Sequence, residues 1–474
     1  MKSKGSLQLS LWILSSSFFC GCLAPFAGNH KEVIQTYPEY WESNVSFAEN
    51  NHSQNGWSME LGGRELEELI EKAVSGNPSL LALTERLIAQ GEQATILGAQ
   101  LQPQAQVEVT GSRSKRNLIG FNLPNGSTSF TSNSFTSGLN ISWELDLWGK
   151  LADSRNSAEK AFESGQYDLE AARLSLAGQV AKVWCEIIEA SQQVSLAQRS
   201  ADSFAQNQHF VEQRFEKGLA NALDKSLAQS ITATALAKSL SLQGHLDGGK
   251  RQLNVLLGKY PSISTDQNLT TSLATLPPLN LIETSPSLFL TNRPDILAAE
   301  KKAEASGLNL AVARKNFFPS ITLNGGPGTR SDEFEDLLDN RFRTWGINGS
   351  ITQPLFNGGR LRAAQRQAKA LQAASWADYR ACVLDAFVEV ENILAAEIRL
   401  AREETYIELA AKSAEDAARL SWERYQRGVE AIFNALENQR RAFDARSQAY
   451  SIRKKRLHNR IDLHLALAQS PLSE

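Results

Sequence analysis

The sequence predicts a mainly α protein with a small β part: long coiled-coil helices joined to four β-strands, built as an internal two-fold repeat. Three observations carry this. The first is duplication. Arg214-Phe-Glu-Lys-Gly218 returns as Arg424-Tyr-Gln-Arg-Gly428, and Gly149-Lys150-Leu151 as Gly359-Arg360-Leu361, both at an offset of 210. Asn77-Pro78 and Gln102-Pro103 return as Arg293-Pro294 and Phe318-Pro319 at an offset of 216. Each half therefore has the same parts in the same order. The second is a seam of apolar residues every 3.5 positions (Leu176, Val180, Val183, Ile187, Ala190, Val194, Ala197, Ala201, Phe204), the period of a left-handed supercoil. The third is strict alternation: Leu139, Ile141, Trp143, Leu145 and Leu147 are interleaved with Asn140, Ser142, Glu144 and Asp146, which is a strand with one apolar face.

The helices follow from punctuation. No proline interrupts the stretch from Leu151 to Gln213, or its counterpart from Leu361 to Glu423. A helix of about 60 residues is roughly 90–95 Å long, three times a bilayer core. Shorter helices are expected from Pro78 to about Leu101, Leu223 to Leu257, Pro294 to Lys315 and Ile432 to Ala468. In each half the two short helices stacked end to end match the long one beside them.

Strands are expected near 105–112, 136–148, 320–329 and 343–355. Four strands cannot close a membrane barrel, which needs about eight, and open edges in lipid leave costly unpaired backbone groups. The barrel must be shared between subunits: two chains give eight strands and three give twelve.

The first residues set the compartment. Lys2 and Lys4 precede an apolar stretch from Leu7 to Phe19, the length of a secretory leader and too short to span a bilayer. It ends in Phe19-Cys20-Gly21-Cys22, which resembles a bacterial lipobox and makes Cys22 the lipidation candidate; the alternative is an ordinary cleaved leader. The domain reading is a signal peptide at 1–21, an extended segment at 22–60, repeats at 61–258 and 291–468 joined by a linker at 259–290, and a tail at 469–474. The remaining cysteines, Cys185 and Cys382, fall in different helices, so disulfides do not frame the fold. His30, His52, His209, His245, His458 and His464 are scattered, with no metal-ligand spacing. No cofactor or metal is expected. A net charge of -3 gives no reason to expect nucleic acid.

Trp143-Glu-Leu-Asp-Leu-Trp-Gly-Lys150, Asn292-Arg-Pro-Asp-Ile296, Phe317-Phe-Pro-Ser-Ile321, Gln353-Pro-Leu-Phe-Asn-Gly-Gly-Arg-Leu361 and the paired Arg-x-x-x-Gly turns, in order and duplicated, resemble the outer-membrane efflux channels of the TolC/OprM type, in their lipid-anchored branch. The resemblance runs from about Leu61 to Ala468. It implies a homotrimer with a twelve-stranded outer-membrane barrel on a periplasmic helical tunnel. It also implies a periplasmic adaptor protein and an inner-membrane pump of the RND type as partners.

The site residues follow. Arg214, Gly218, Arg424 and Gly428 lie where each long helix turns back: the glycines suit a helix end needing φ > 0, and the arginines oppose the helix dipole. The resemblance makes these turns the periplasmic tip where the adaptor docks. It also makes Glu437, Asn434 and Asp224 the entrance constriction, since the family carries acidic residues six and nine positions past the second tip glycine. Asn434 departs from that pattern. Three converging Glu437 carboxylates would favour cations, and some would titrate above the usual ~4.3; the plain alternative is a solvated helix face. Gly149, Gly358 and Gly359 mark strand-to-helix junctions. Gly325-Gly326-Pro327-Gly328 lacks the Lys-Ser/Thr of a phosphate loop and reads as strand and turn. Trp143, Trp148 and Trp345 are candidates for an interfacial girdle, Trp148 equally for junction packing.

The function that follows is passive exit of small molecules through an outer-membrane duct of a tripartite efflux system. The alternatives are the duct of a type I protein secretion system, or an exported coiled-coil scaffold without a pore. An enzyme is disfavoured, because no catalytic constellation is supported by spacing.

Overall fold

A computed structural model describes residues 41, 56–117, 129–263, 273 and 292–472. The expected leader with Cys22, and most of the linker, lie outside the described residues. The elements run α1 (Trp57–Gly76), α2 (Pro78–Ala99), β1 (Gln104–Asn117), β2 (Ser129–Leu145), α3 (Lys150–Glu216) and α4 (Ala222–Leu256). They continue as α5 (Pro294–Lys315), β3 (Ser320–Ser331), β4 (Arg343–Thr352), α6 (Arg360–Gln426) and α7 (Ile432–Ala466).

Both long helices have 67 residues. The predicted seam holds: Leu176, Val180, Val183, Ile187, Val194, Ala197, Ala201 and Phe204 are buried, with Ala190 half-buried. Near the sheet the rods lie in the order α2, α3, α5, α6; farther away α4 packs on α3, and α7 packs on both α3 and α6.

The composite rods are spliced by the paired landmarks. Asn77 caps α2 and its Nδ2 donates to Leu256 O at the end of α4, 2.9 Å away. Arg293 does the same in the second half, its Nη1 donating to Ala466 O at 3.1 Å. The two short helices of each half, 22 and 35 residues, together fall short of the 67-residue rod beside them. The equal lengths expected from the sequence are thus not observed.

A helix begins at Trp57, inside the stretch expected to be extended. Gly63, at φ 61, breaks α1 and obscured its periodicity. Trp57, Leu61, Leu66, Leu69, Ile70 and Ala73 bury one face in the main core with Val180 and Trp184. The chain end folds back on this helix: Trp57 Nε1 donates to Gln469 O at 3.2 Å and its ring stacks on His464 at 5.8 Å. His458 is also a packing residue. Burial, with Lys182 and Lys454 nearby, pushes its pKa down to about 4.

The sheet is antiparallel in the order β1-β2-β3-β4. Direct partners share a face: Val107 faces Leu139, Trp143 faces Leu323, and Ile321 faces Ile351. One face therefore carries Val107, Val109, Leu139, Ile141, Trp143, Trp345, Ile347 and Ile351, all exposed. The other carries Gln106, Glu108, Asn140, Ser142, Thr322 and Asn348. The glycine-rich run lies inside β3, where a Cβ on Gly326 would overlap Leu139 O. β2 stops at Leu145 rather than 148, because Asp146–Gly149 form a turn closed by Gly149 N to Asp146 O at 3.2 Å. β4 stops before 355, at Thr352, next to Pro354, which has no N–H to give.

Candidate functional site

The two hairpin tips are built alike. At the end of α3, Gly218 N donates to Phe215 O at 2.9 Å and Leu219 N to Arg214 O at 2.8 Å. At the end of α6, Gly428 N donates to Tyr425 O at 2.9 Å and Val429 N to Arg424 O at 3.1 Å. This paired closure needs a left-handed residue, and Gly218 and Gly428 have φ 72 and 78. Arg214 and Arg424 each lend a last-turn carbonyl of their helix to this closure.

The tips also touch. Arg214 places its guanidinium 5.3 Å from the Tyr425 ring and 5.9 Å from Phe210. Phe210, Trp422 and Tyr425 pack edge to face or tilted, with centroids 5.4 to 6.1 Å apart. Beneath them Phe204, Val211, Ala228, Ile432, Ala435 and Leu436 form a buried cluster. One repeat's arginine thus sits on the other repeat's tyrosine. This contact was invisible in sequence, although the aromatic four residues before Arg214 was a signal. Each tip exposes two apolar residues at equivalent positions: Leu219 and Leu223 (64% and 67% exposed), and Val429 and Phe433 (62% and 57%).

The three entrance candidates sit in unlike settings. Asp224 closes a capping box at the start of α4: Asp224 N donates to Asn221 Oδ1 at 2.8 Å, and Asn221 N donates to the Asp224 carboxylate at 3.3 Å. That duty accounts for the residue without any channel role. Asn434, at the equivalent position, donates to Glu430 Oε1 at 2.6 Å, and Ala431 leaves α7 without a side-chain cap. Glu437 is gripped by two cations, Arg440 at 2.8 Å and Arg441 at 2.9 Å. These hydrogen bonds hold its pKa down at about 2. Within the protomer the expected upward titration is reversed, because Glu437 meets two guanidiniums on its own helix.

At the junctions Gly149, Gly358 and Gly359 have φ 70, 61 and 84. Asp146 caps α3 with both carboxylate oxygens, accepting Leu151 N at 3.0 Å and Ala152 N at 2.8 Å. Lys315 ties α5 to this corner through Asp153 at 2.6 Å and Gly149 O at 3.0 Å. Trp148 Nε1 donates to Pro319 O at 2.7 Å and its ring lies 5.3 Å from Phe318, so it packs the junction. Trp345 is 82% exposed on the apolar face of the sheet.

Among the described residues no helix is long and apolar enough to cross a membrane. The membrane-facing surface is the sheet, apolar on one side and polar on the other, as barrel strands are. Strands of this kind set on paired long helices define an outer-membrane conduit protein. The chain belongs to the outer membrane efflux protein family, whose model matches residues 69–259 and 285–469. It is 29% identical to the pyoverdine export outer membrane protein OpmQ of Pseudomonas putida, over 91% of each chain. It is 30% identical to the outer membrane protein OprJ of Pseudomonas aeruginosa, over 82% of this chain and 80% of OprJ. The open-state structure of the Neisseria gonorrhoeae MtrE outer membrane channel superposes with a TM-score of 0.80 at 26% identity, covering 93% of this chain and 97% of MtrE. The protein is an outer-membrane efflux channel.

Proposed function

We propose that three copies of the chain close a twelve-stranded barrel and a helical tunnel, forming the exit duct of a tripartite pump for small molecules. The observation that carries this is a four-stranded sheet whose outer edges on β1 and β4 pair with no other strand among the described residues, and which has one apolar face. An open sheet in lipid leaves two rows of backbone groups unsatisfied, and closure with further copies removes both. Single-channel conductance in planar bilayers tests the duct. Well-formed trimers that never conduct would overturn it.

The tips are the proposed docking surface for a periplasmic adaptor working with an RND-type inner-membrane pump. The exposed pairs Leu219/Leu223 and Val429/Phe433 beside Gly218 and Gly428 support that reading, as apolar side chains on a rigid turn suit a protein partner. Lipid anchoring at Cys22 is also proposed, on the lipobox-like Phe19–Cys22 segment. Labelling by a fatty-acid analogue should vanish in Cys22→Ser, and persistent labelling would refute the anchor.

Glu437 is proposed to tune the tunnel entrance as part of an Arg–Glu lattice rather than as a bare carboxylate. Its charge should persist from neutral pH down toward about 2, so acidification short of that leaves selectivity unchanged. Glu437→Gln removes the anion and frees Arg440 and Arg441, so reversal potentials should move toward anions. Unchanged reversal potentials would return Glu437 to being an ordinary surface charge. Trimer stability should hardly change, because exposed pairs contribute only about 0–1 kcal/mol.

A further inference from the structure

The two faces of the sheet are distinguishable, and the connection between β3 and β4 lies against the lipid-facing one. On β1 the apolar face carries Val107, Val109 and Gly111, and Gly111 stands opposite Phe135 of β2. A Cβ on Gly111 would meet the Phe135 ring at 3.0 Å, so Phe135 belongs to the same face. The other face is concave: Glu108, Thr110, Asn140, Asn324, Thr344 and Asn348 line a groove along it. Concavity and polarity make that face the lumen side of a barrel wall.

The connection, residues 332–342, contains two short 3₁₀ turns, Glu335–Leu338 and Asn340–Phe342. The first of them packs on β2 and β3. The Phe334 ring meets Phe135 edge to face at 5.7 Å. Thr329, on the same face as Phe135, donates from Oγ1 to Leu337 O at 2.8 Å. Buried Ser331 fastens the entry, its Oγ donating to the Asp336 carboxylate at 2.9 Å and accepting Glu333 N at 3.1 Å. This docking buries Leu337 but leaves Phe334 and Leu338 63% and 95% exposed. Two large apolar side chains are thus held open on a fixed turn, outside the wall.

Their height follows from the strands. Along the apolar face of β2, the side chains from Leu145 to Phe135 are apolar except Ser137, and Asn133, Thr131 and Ser129 follow. That stretch advances about 33 Å along the strand, or about 25 Å along the axis of a barrel whose strands tilt about 40°, the height of an outward apolar band. The same face turns charged next, at Arg113 and Lys115 on β1 and at Arg343 where β4 begins. Phe334 and Leu338 therefore lie at the end of the band far from the helices. Asp332, Glu333 and Glu335 beside them are exposed, and their carboxylates resist burial in hydrocarbon. An element with an apolar foot among charges suits the membrane interface.

We infer that this connection is seated at the headgroup–acyl boundary of the outer leaflet, with Phe334 and Leu338 in contact with lipid. The occupant of the exposed apolar patch is the bilayer, because the patch continues the lipid-facing band of β2 and β3. It also sits on the two inner strands, away from the edges on β1 and β4 that barrel closure uses. A connection fixed outside the wall does not cover the mouth of the duct. This inference rests on the shared-barrel reading above.

The test uses the full-length protein with Cys382→Ser, reconstituted in vesicles of phosphatidylethanolamine and phosphatidylglycerol. A nitroxide is attached at Leu338→Cys, at Trp345→Cys as the lipid-facing reference, and at Thr344→Cys as the lumen-facing reference. The background without an added cysteine gives the blank. At Leu338 the ratio of collisions with oxygen to collisions with a nickel chelate should match that at Trp345 and exceed that at Thr344 severalfold. A ratio closer to that at Thr344 overturns the inference. In planar bilayers a bulky charged thiol reagent should lower the conductance of Thr344→Cys and leave that of Leu338→Cys unchanged. Block at Leu338 would put the connection over the mouth and overturn the inference as well. A wild-type protein that forms no conducting channel instead overturns the shared-barrel reading beneath it.

Discussion

Glu397→Ala should cost about 3–5 kcal/mol of stability, the penalty for removing one partner of a buried charge cluster. Glu397 is 3% exposed, and its Oε1 accepts Arg460 Nη2 at 2.9 Å and Arg456 Nε at 3.0 Å. It is the inner end of a ladder between α6 and α7. Arg456 also reaches Glu404 at 2.9 Å, Arg453 reaches Glu404 at 3.0 Å, and Arg446 bridges Glu408 and Glu415 at 2.6 and 2.7 Å. Thermal unfolding followed by helical circular dichroism checks the cost. Glu423→Ala, on an exposed pair 3.2 Å from Arg419, is the control and should cost under about 1 kcal/mol. If both variants unfold alike, the ladder is not a structural element of the hairpin.

The ladder also has a defined pH response. Burial pushes Glu404 up, but Arg456 and Arg453 outweigh it and hold the carboxyl below its ordinary value; Arg446 lowers Glu415 in the same way. Carboxylates with depressed folded pKa values contribute stability above their unfolded pKa and lose it as pH falls through the folded one. The α6–α7 pair should therefore keep its strength at mildly acidic pH and weaken only below the usual carboxylate range. Repeat one has no carboxylate here: Ile187, Val194, Gln198 and Ala205 stand where Glu397, Glu404, Glu408 and Glu415 stand, at the same offset of 210.

The second large effect is expected at the rod splices. Gly258, at φ 71, closes α4 with Lys259 N donating to Asn254 O at 2.8 Å, and a Cβ there would overlap Gly76 O. Gly258→Ala combines the ~1–2 kcal/mol cost of a left-handed L-residue with a backbone collision, and should disrupt the α2–α4 joint. The equivalent position in repeat two is Ala468, the one non-glycine residue with positive φ among those described, at φ 52. Ala468→Gly relieves that strain and should stabilise by up to about 1 kcal/mol after the unfolded-state entropy of glycine is counted. The two variants should thus move the melting temperature in opposite directions. A tolerated Gly258→Ala, or a destabilising Ala468→Gly, would contradict the splice geometry.

Much of the architecture was legible because it rests on period and punctuation. The 3.5-residue seam of α3 and the alternation of β2 need no distant partner to be read. The tip glycines were legible for the same reason, since a left-handed closure is a local demand met by Gly218 and Gly428. The α1 helix was not legible, because Gly63 breaks its period and only packing on α3 restores one buried face. The apolar face of β1 was also hidden, as it emerges only when the register places Val107 against Leu139.

By itself the sequence determined the duplication, the long helices, four strands and the turns between them, because hydrophobic periodicity and backbone conformation are local properties. Only the tertiary structure decided what the charged and aromatic residues do. Asp224 became a helix cap, Glu437 an ion-pair partner of Arg440 and Arg441, and Arg214 a bridge to Tyr425. The role of a charge depends on what lies within a few ångströms of it in three dimensions, and residue order does not encode that distance.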